Sequence, residues 1–358
     1  MKLYSSYSLG AIELKNRIVM APMTRSRAID NIPNDLMAEY YAQRASGGLL
    51  ITEGTAPSPN GLGYARIPGV YSDAQVAGWQ KVTDAVHAKG GKIFLQVMHT
   101  GRVSHPGNME EGARVVAPSA IQVSGEMYTD AQGPQPHPVP EEMSAQDIED
   151  TIEEYVTAAQ NAIKAGFDGI ELHGANGYLI EQFLNPGSNQ RSDGFGGDAD
   201  KRNRFAIEVA TRVAAAIGPE RTGIRLSPYG VFNDIVPFEG IEDQFEVLAR
   251  VFGDLKLAYI HIVDHFSMGA PEVPQSVKDK IQTAFGGPII GSGGLDKAKA
   301  EALLQSGKAD LAAFGRPFLA NPDLPYRMEK DLDLTQPDFQ TFYTPGEKGY
   351  TDYPFAEQ

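Results

Sequence analysis

A (β/α)8 barrel is the fold class that this sequence predicts, and three observations predict it. Short apolar runs alternate with helical patterns over 358 residues, and the runs number eight. The runs are rich in Ile, Val and Leu and mostly bounded by Gly or Pro, as strands buried on both faces should be. Polar residues and glycines recur where the runs end, the rim at which such barrels keep their chemistry. An open doubly wound sheet with an appended domain shares the alternation. The barrel is preferred because the tally closes at eight and no composition shift divides the chain, so residues 1–358 are read as one domain.

Taken in order, residues 3–14 alternate around Leu9-Gly10 and read as a small hairpin. The predicted strands are Arg17–Met23, Leu49–Thr55, Lys92–Met98, Gly169–His173, Gly223–Ser227, Tyr259–Val263, Pro288–Gly291 and Leu311–Phe314. Between them fall helical patterns at Asp35–Ala45, Asp73–Ala88, Ala145–Ala165, Asp200–Ile217, Ile241–Leu255, Gln275–Ala284 and Asp296–Gln305. Ser72-Asp73, and Ser144 with Asp147 three residues on, are helix start signals. Residues 99–143 break the regular spacing and hold many Gly, Pro and Ser. A loop that long after the third strand is usually functional or disordered, and is read here as a lid. The tail, 331–358, carries Phe339, Phe342, Tyr343, Tyr350, Tyr353 and Phe355, too apolar a set to stay in solvent. It is expected to fold back onto the barrel.

Composition removes several classes of function. The formal charge is −15, which argues against nucleic acid, since phosphate backbones need a basic face. An anionic cofactor would then be held by a few placed arginines. There is no cysteine, so disulfides, thiolate nucleophiles and cysteine-bound clusters are excluded. The opening MKLYSSYSLG has no apolar run of a signal peptide, and no stretch reaches the length of a membrane span. A cytoplasmic protein, monomeric or a small homo-oligomer, is the expectation.

The chemistry gathers in residues 169–197, GIELHGANGYLIEQFLNPGSNQRSDGFGG. A buried strand runs out at Gly174, and His173, Asn176 and Tyr178 follow within six residues. An imidazole, a carboxamide and a phenol at one strand end can grip one oxygen and deliver one proton. Metal binding is the rival reading, because histidine is the commonest ligand, but asparagine is a poor partner for zinc. His261, Asp264 and His265 form a second cluster that a metal-dependent lyase or hydrolase would use; otherwise they shape the pocket. Tyr178, with an ordinary phenol pKa about 10, is a plausible acid at neutral pH. Other rim residues are Pro22, Met23 and Thr24 at strand one, Gly54 at strand two, Gln96 at strand three and Arg225 at strand five. Gly293 and Gly294 follow strand seven, and Gly315-Arg316 close strand eight. That last pair of loops matches the phosphate site of such barrels. Glycine lets backbone N–H groups approach closely, and guanidinium binds phosphate bidentately. Gly194-Phe195-Gly196-Gly197-Asp198-Ala199 fits GxGxxA, but it follows a polar loop and is no dinucleotide fingerprint.

This 169–197 stretch resembles the old yellow enzyme family, flavin-dependent reductases of activated alkenes. Its signature joins His-x-x-Asn or His-x-x-His to a nearby Tyr, and Phe183-Leu184, Pro186, Asn189, Arg191, Asp193 and Gly196-Gly197 continue it. The likeness extends from NRIVMAPMTR at 16–25 to FYTPGEKGYTDYP at 342–354. It implies non-covalent FMN with its phosphate at FGRP, and Arg225 at the flavin N1–C2 edge. Gln96 would meet the pyrimidine edge, and Thr24 the C4 carbonyl. NADPH, or NADH, would be the reductant. Tyr64, Tyr343 and Met98 would flank the substrate, with Met98 standing where many relatives have Trp. Enones, enals, maleimides and nitroalkenes are the implied substrates. His173 and Asn176 would hold the substrate oxygen as hydride reaches the β-carbon, and Tyr178 would protonate the α-carbon. A nitrate-ester or nitroaromatic reductase on the same flavin, and a flavin-binding protein without alkene turnover, are the alternatives.

Overall fold

The computed structural model describes residues 1–357. Eight parallel strands close into a barrel: β1 (Ile18–Met20), β2 (Leu49–Ile51), β3 (Ile93–Val97), β4 (Gly169–Gly174), β5 (Thr222–Leu226), β6 (Tyr259–Ile262), β7 (Ile289–Ser292) and β8 (Leu311–Phe314). Each pairs with its sequence neighbours, and β8 closes on β1 with Ala313 opposite Val19. The expected strands and long helices are all present, with ends shifted by a few residues. β1 and β2 are shorter than expected because the backbone leaves the ladder early, freeing Pro22–Thr24 and Gly54 to form cavity wall.

Strand periodicity sorts the side chains. Ile170, Leu172, Ile224 and Ile260 face outward into the large core under the helices. Inside the barrel the floor is apolar, built from Val19, Leu49, Ile51, Phe94, Tyr259, Ile290 and Leu311. The N-terminal hairpin, Tyr7–Leu9 with Ile12–Leu14, adds Leu9 and Leu14 to this cluster and so plugs the lower end. Two glycines make room for the rings in this floor. A Cβ on Gly223 would stand 2.3 Å from the Tyr259 ring, and one on Gly169 would stand 2.5 Å from Phe94.

The eighth helical layer is split into Arg316–Ala320 and Leu324–Glu329, and a further short helix, Leu179–Leu184, follows β4. None was expected, because five or six residues are too few to show a 3.6-residue period. The long segment after β3 holds a hairpin, Glu126–Thr129 with Gly133–Pro136. Its Val103, Val123 and Met127 pack against Tyr64 and Tyr178.

The C-terminal tail lies along the loops after β1 and β8. Tyr350 is fully buried, its ring stacked on Tyr40 at 4.0 Å. Three buried arginines tie down the backbone around it. Arg25 donates to Gly349 O (2.6 Å), Arg27 to Thr341 O (2.8 Å) and Arg44 to Leu319 O (2.7 Å). Tyr350→Ala should therefore lower stability by about 3 kcal/mol or more, as deletion of a large buried ring does. A fall in the urea midpoint, with faster proteolysis inside 331–357, is the expected outcome.

Candidate active site

At the C-terminal mouth of the barrel lies a cavity of about 660 Å3. Every site residue expected from the sequence lines it: Pro22, Met23, Thr24, Gly54, Tyr64, Gln96, Met98, His173, Asn176, Tyr178, Arg225, Gly293, Gly294, Gly315, Arg316 and Tyr343. Phe232, Asn233, Ser292 and Phe342 line it too and were not foreseen. Phe232 and Asn233 sit on an irregular loop with no period to read.

Parallel register sets the polar side chains beneath this cavity. Glu171 lies opposite Gln96, His173 opposite Arg225, and Arg225 opposite His261. The Glu171 carboxylate is fully buried and accepts from Gln96 Nε2 (2.7 Å) and His261 Nδ1 (2.9 Å). Sequence reading had passed over Glu171, though a carboxylate two residues before His173 in an apolar strand shares its inward face. With one Nε2–H on Glu171, Gln96 keeps its carbonyl oxygen, an acceptor, and its second N–H without protein partners. Arg225 is buried, its Nε has no partner in the protein, and burial lowers its pKa against the pull of Glu171. A buried guanidinium N–H without an acceptor calls for one from a ligand.

The loop after β4 is shaped by a second unforeseen carboxylate. Glu181 accepts from Gly177 N (2.6 Å) and Ser227 Oγ (2.7 Å), and Ser227 Oγ in turn accepts from Asn176 N (2.9 Å). These bonds hold Asn176 at φ 58°, a left-handed conformation that asparagine tolerates better than most. His173 Nδ1 accepts from Ala175 N (3.3 Å), which leaves the ring proton on Nε2. Burial, then the nearby Arg225, drive the His173 pKa well below the usual histidine value, so the ring is a neutral donor. Tyr178 meets His173 edge-on at 4.9 Å, and its hydroxyl lies 2.9 Å from that of Tyr64. Burial, then Tyr64, raise the Tyr178 pKa well above the ordinary phenol value. Met98 is buried against Gly54, where a Cβ would stand 2.4 Å from its sulfur.

On the far side of the cavity the loops after β7 and β8 meet. Gly293 and Gly294 have φ of 128° and 62°. Cβ atoms there would reach within 2.5 Å of Asp264 O and 2.4 Å of Ser267 Cβ, so glycine is required. Arg316 sits beside them with its guanidinium 5.1 Å from the centre of the Phe339 ring. A guanidinium next to open glycine backbone has the donors that a phosphate can take.

His261, Asp264 and His265 do not converge, which corrects the metal-site alternative. His261 turns into the barrel to Glu171, Asp264 accepts from Lys278 Nζ (2.7 Å), and His265 Nε2 bonds Asn176 Oδ1 (2.8 Å).

Comparison with known proteins settles the family. The NADH:flavin oxidoreductase / NADH oxidase family matches residues 2–335. The chain belongs to that family. Within it, the chain is 43% identical to chanoclavine-I aldehyde reductase of Penicillium roqueforti, over 100% of this chain and 97% of the relative. It is 40% identical to 12-oxophytodienoate reductase 1 of Oryza sativa subsp. japonica, over 99% and 93%. Among solved structures, morphinone reductase superposes with a TM-score of 0.95 at 43% identity, over 99% of this chain and 96% of that one. The old yellow enzyme homologue of Zymomonas mobilis gives 0.93 at 42%, over 99% of both. The chain is therefore an FMN-dependent oxidoreductase of the old yellow enzyme type, driven by a reduced nicotinamide. The residues fit the cofactor. Arg225 lacks an acceptor, Gln96 presents one, and Arg316 with the glycines 293–294 can take the phosphate.

Arg225→Met tests this fit in two measurements. FMN affinity should fall about 10- to 100-fold, the worth of one charge-assisted hydrogen bond. Added FMN should raise the melting temperature of the variant much less than that of the parent, because a ligand stabilises only in proportion to how tightly it binds.

Proposed function

We propose that this enzyme reduces the C=C bond of small activated alkenes, with NADPH the preferred reductant, and that His173, Asn176 and Tyr178 do the protein's share of the chemistry. The observation that carries the reading is the meeting of two neutral donors and a high-pKa phenol at one wall of the cavity. FMN, when bound, takes hydride from the nicotinamide and supplies it to the substrate. Everything else falls to side chains. His173 Nε2–H and the Asn176 amino group bind the carbonyl or nitro oxygen and orient the alkene. As hydride arrives at the β-carbon, negative charge grows on that oxygen, and donors fixed in advance gain strength. Tyr178 then passes its hydroxyl proton to the α-carbon, forming a C–H bond as its O–H bond breaks. Tyr64, 2.9 Å away, can donate to the phenolate oxygen left behind. Met98 is flexible and polarizable, so the wall it forms adapts to substrates of different width.

His173→Ala should weaken binding of phenols about 10- to 100-fold, since a phenolate mimics the enolate oxygen and loses one donor. Loss of fewer than about threefold would remove His173 from the oxygen site.

Tyr178→Phe should leave phenol binding and NADPH oxidation by the flavin nearly intact. Reduction of cyclohexenone should slow by about 10²–10⁴-fold, the range of general acids. Nitroalkenes should suffer less, because a nitronate is stable enough to leave and take a proton from water. Equal slowing of both half-reactions would make the phenol structural. Between about pH 6 and 9 the parent's alkene step should show no titration of His173 or Tyr178; Glu181, pushed up to about 7 behind Asn176, is a group that does titrate in that window. The low His173 pKa keeps that donor neutral at the acid end, and the raised Tyr178 pKa keeps the phenol protonated at the basic end.

A further inference from the structure

Asn176 can serve as a donor only if its carboxamide faces the cavity amino group first. Three of its four polar groups are already committed to protein partners. Its backbone N–H donates to Ser227 Oγ (2.9 Å), its backbone carbonyl accepts from Asn233 Nδ2 (2.7 Å), and its side-chain oxygen lies 2.8 Å from His265 Nε2. The amino group alone is left for the cavity that Asn176 lines. Asn233 comes from the loop after β5 and His265 from the loop after β6, so two loops clamp the residue that a third presents.

We infer that His265 is a positioning residue, which fixes the Asn176 carboxamide with its amino group toward the substrate oxygen. The inference rests on the oxygen-binding role proposed for Asn176 above. An amide oxygen only accepts, so His265 Nε2 must carry hydrogen in this contact whether the ring is neutral or charged. Phe232 meets the His265 ring edge-on at 4.5 Å and limits its rotation. Burial, then Arg225, hold the His265 pKa down at about 4, so at neutral pH the ring fixes the amide without adding a cation to the wall. Without the Nε2 donor, the carboxamide is free to turn. In the turned state its oxygen faces the substrate oxygen, and two acceptors meet. His265 thus selects for ligands that bring an accepting oxygen and against those that bring a donor.

The test uses the FMN-loaded enzyme titrated with 4-chlorophenol, read from the absorbance of the bound flavin. His265→Phe should weaken binding about tenfold, and Asn176→Ala by a similar factor. The double variant should be no weaker than Asn176→Ala alone, because the two residues act as one unit. His265→Gln, whose amide nitrogen can occupy the place of Nε2, should bind within about threefold of the parent. A His265→Phe enzyme that binds within twofold of the parent, beside a weakened Asn176→Ala, overturns this inference and leaves the oxygen-binding reading standing. So does a double variant in which the two losses multiply. An Asn176→Ala enzyme that binds like the parent overturns that reading and this one together.

Discussion

The Glu171 carboxylate is the interaction on which the site depends. It is fully buried in the barrel, and two of its neighbours along the sheet, Gln96 and His261, donate to it. Leaving such a buried group without a donor commonly costs about 1–3 kcal/mol or more, which favours a single geometry. Three consequences reach the cavity from there. Gln96 is turned with its carbonyl upward, His261 is kept below the mouth, and Arg225 gains an opposite charge nearby without being given a hydrogen-bond acceptor. With a barrel floor of apolar rings beneath and an open mouth above, the acceptor that Arg225 lacks has to come from whatever the cavity binds.

Burial tunes the reacting groups in a consistent direction. It disfavours the charged form of each, so the same low-polarity wall keeps His173 neutral and Tyr178 protonated. Neither needs a dedicated charged partner for that. The carboxylates that are present act on backbone and neighbours: Glu181, pushed up to about 7 by burial, shapes the turn at Gly177 without touching the cavity.

Much of this was legible in the chain. Alternation in β4 put Ile170 and Leu172 outside and His173 inside, and glycines and arginines at strand ends marked the rim. Legibility failed where the determinant is a pairing between distant residues. Glu171 is visible as a charge in an apolar strand, but its partners come from β3 and β6, and only register brings them together. His261, Asp264 and His265 looked like one cluster because they are close in sequence. Alternation turned His261 inward, and the chain left the strand before Asp264 and His265, so the three went separate ways. The short helices escaped for want of length, and Phe232 and Asn233 because loop residues carry no period.

The tail has a consequence in time. Phe342 and Tyr343 form part of the cavity wall, Phe339 lies under Arg316, and all three come after the last barrel strand in the chain. A chain emerging from the ribosome folds its N-terminal elements first. The barrel strands are complete at Phe314, yet the wall of the cavity is not. A chain made only as far as β8 would therefore hold every barrel strand and Arg225, yet lack the aromatic part of the cavity wall that Phe342 and Tyr343 supply.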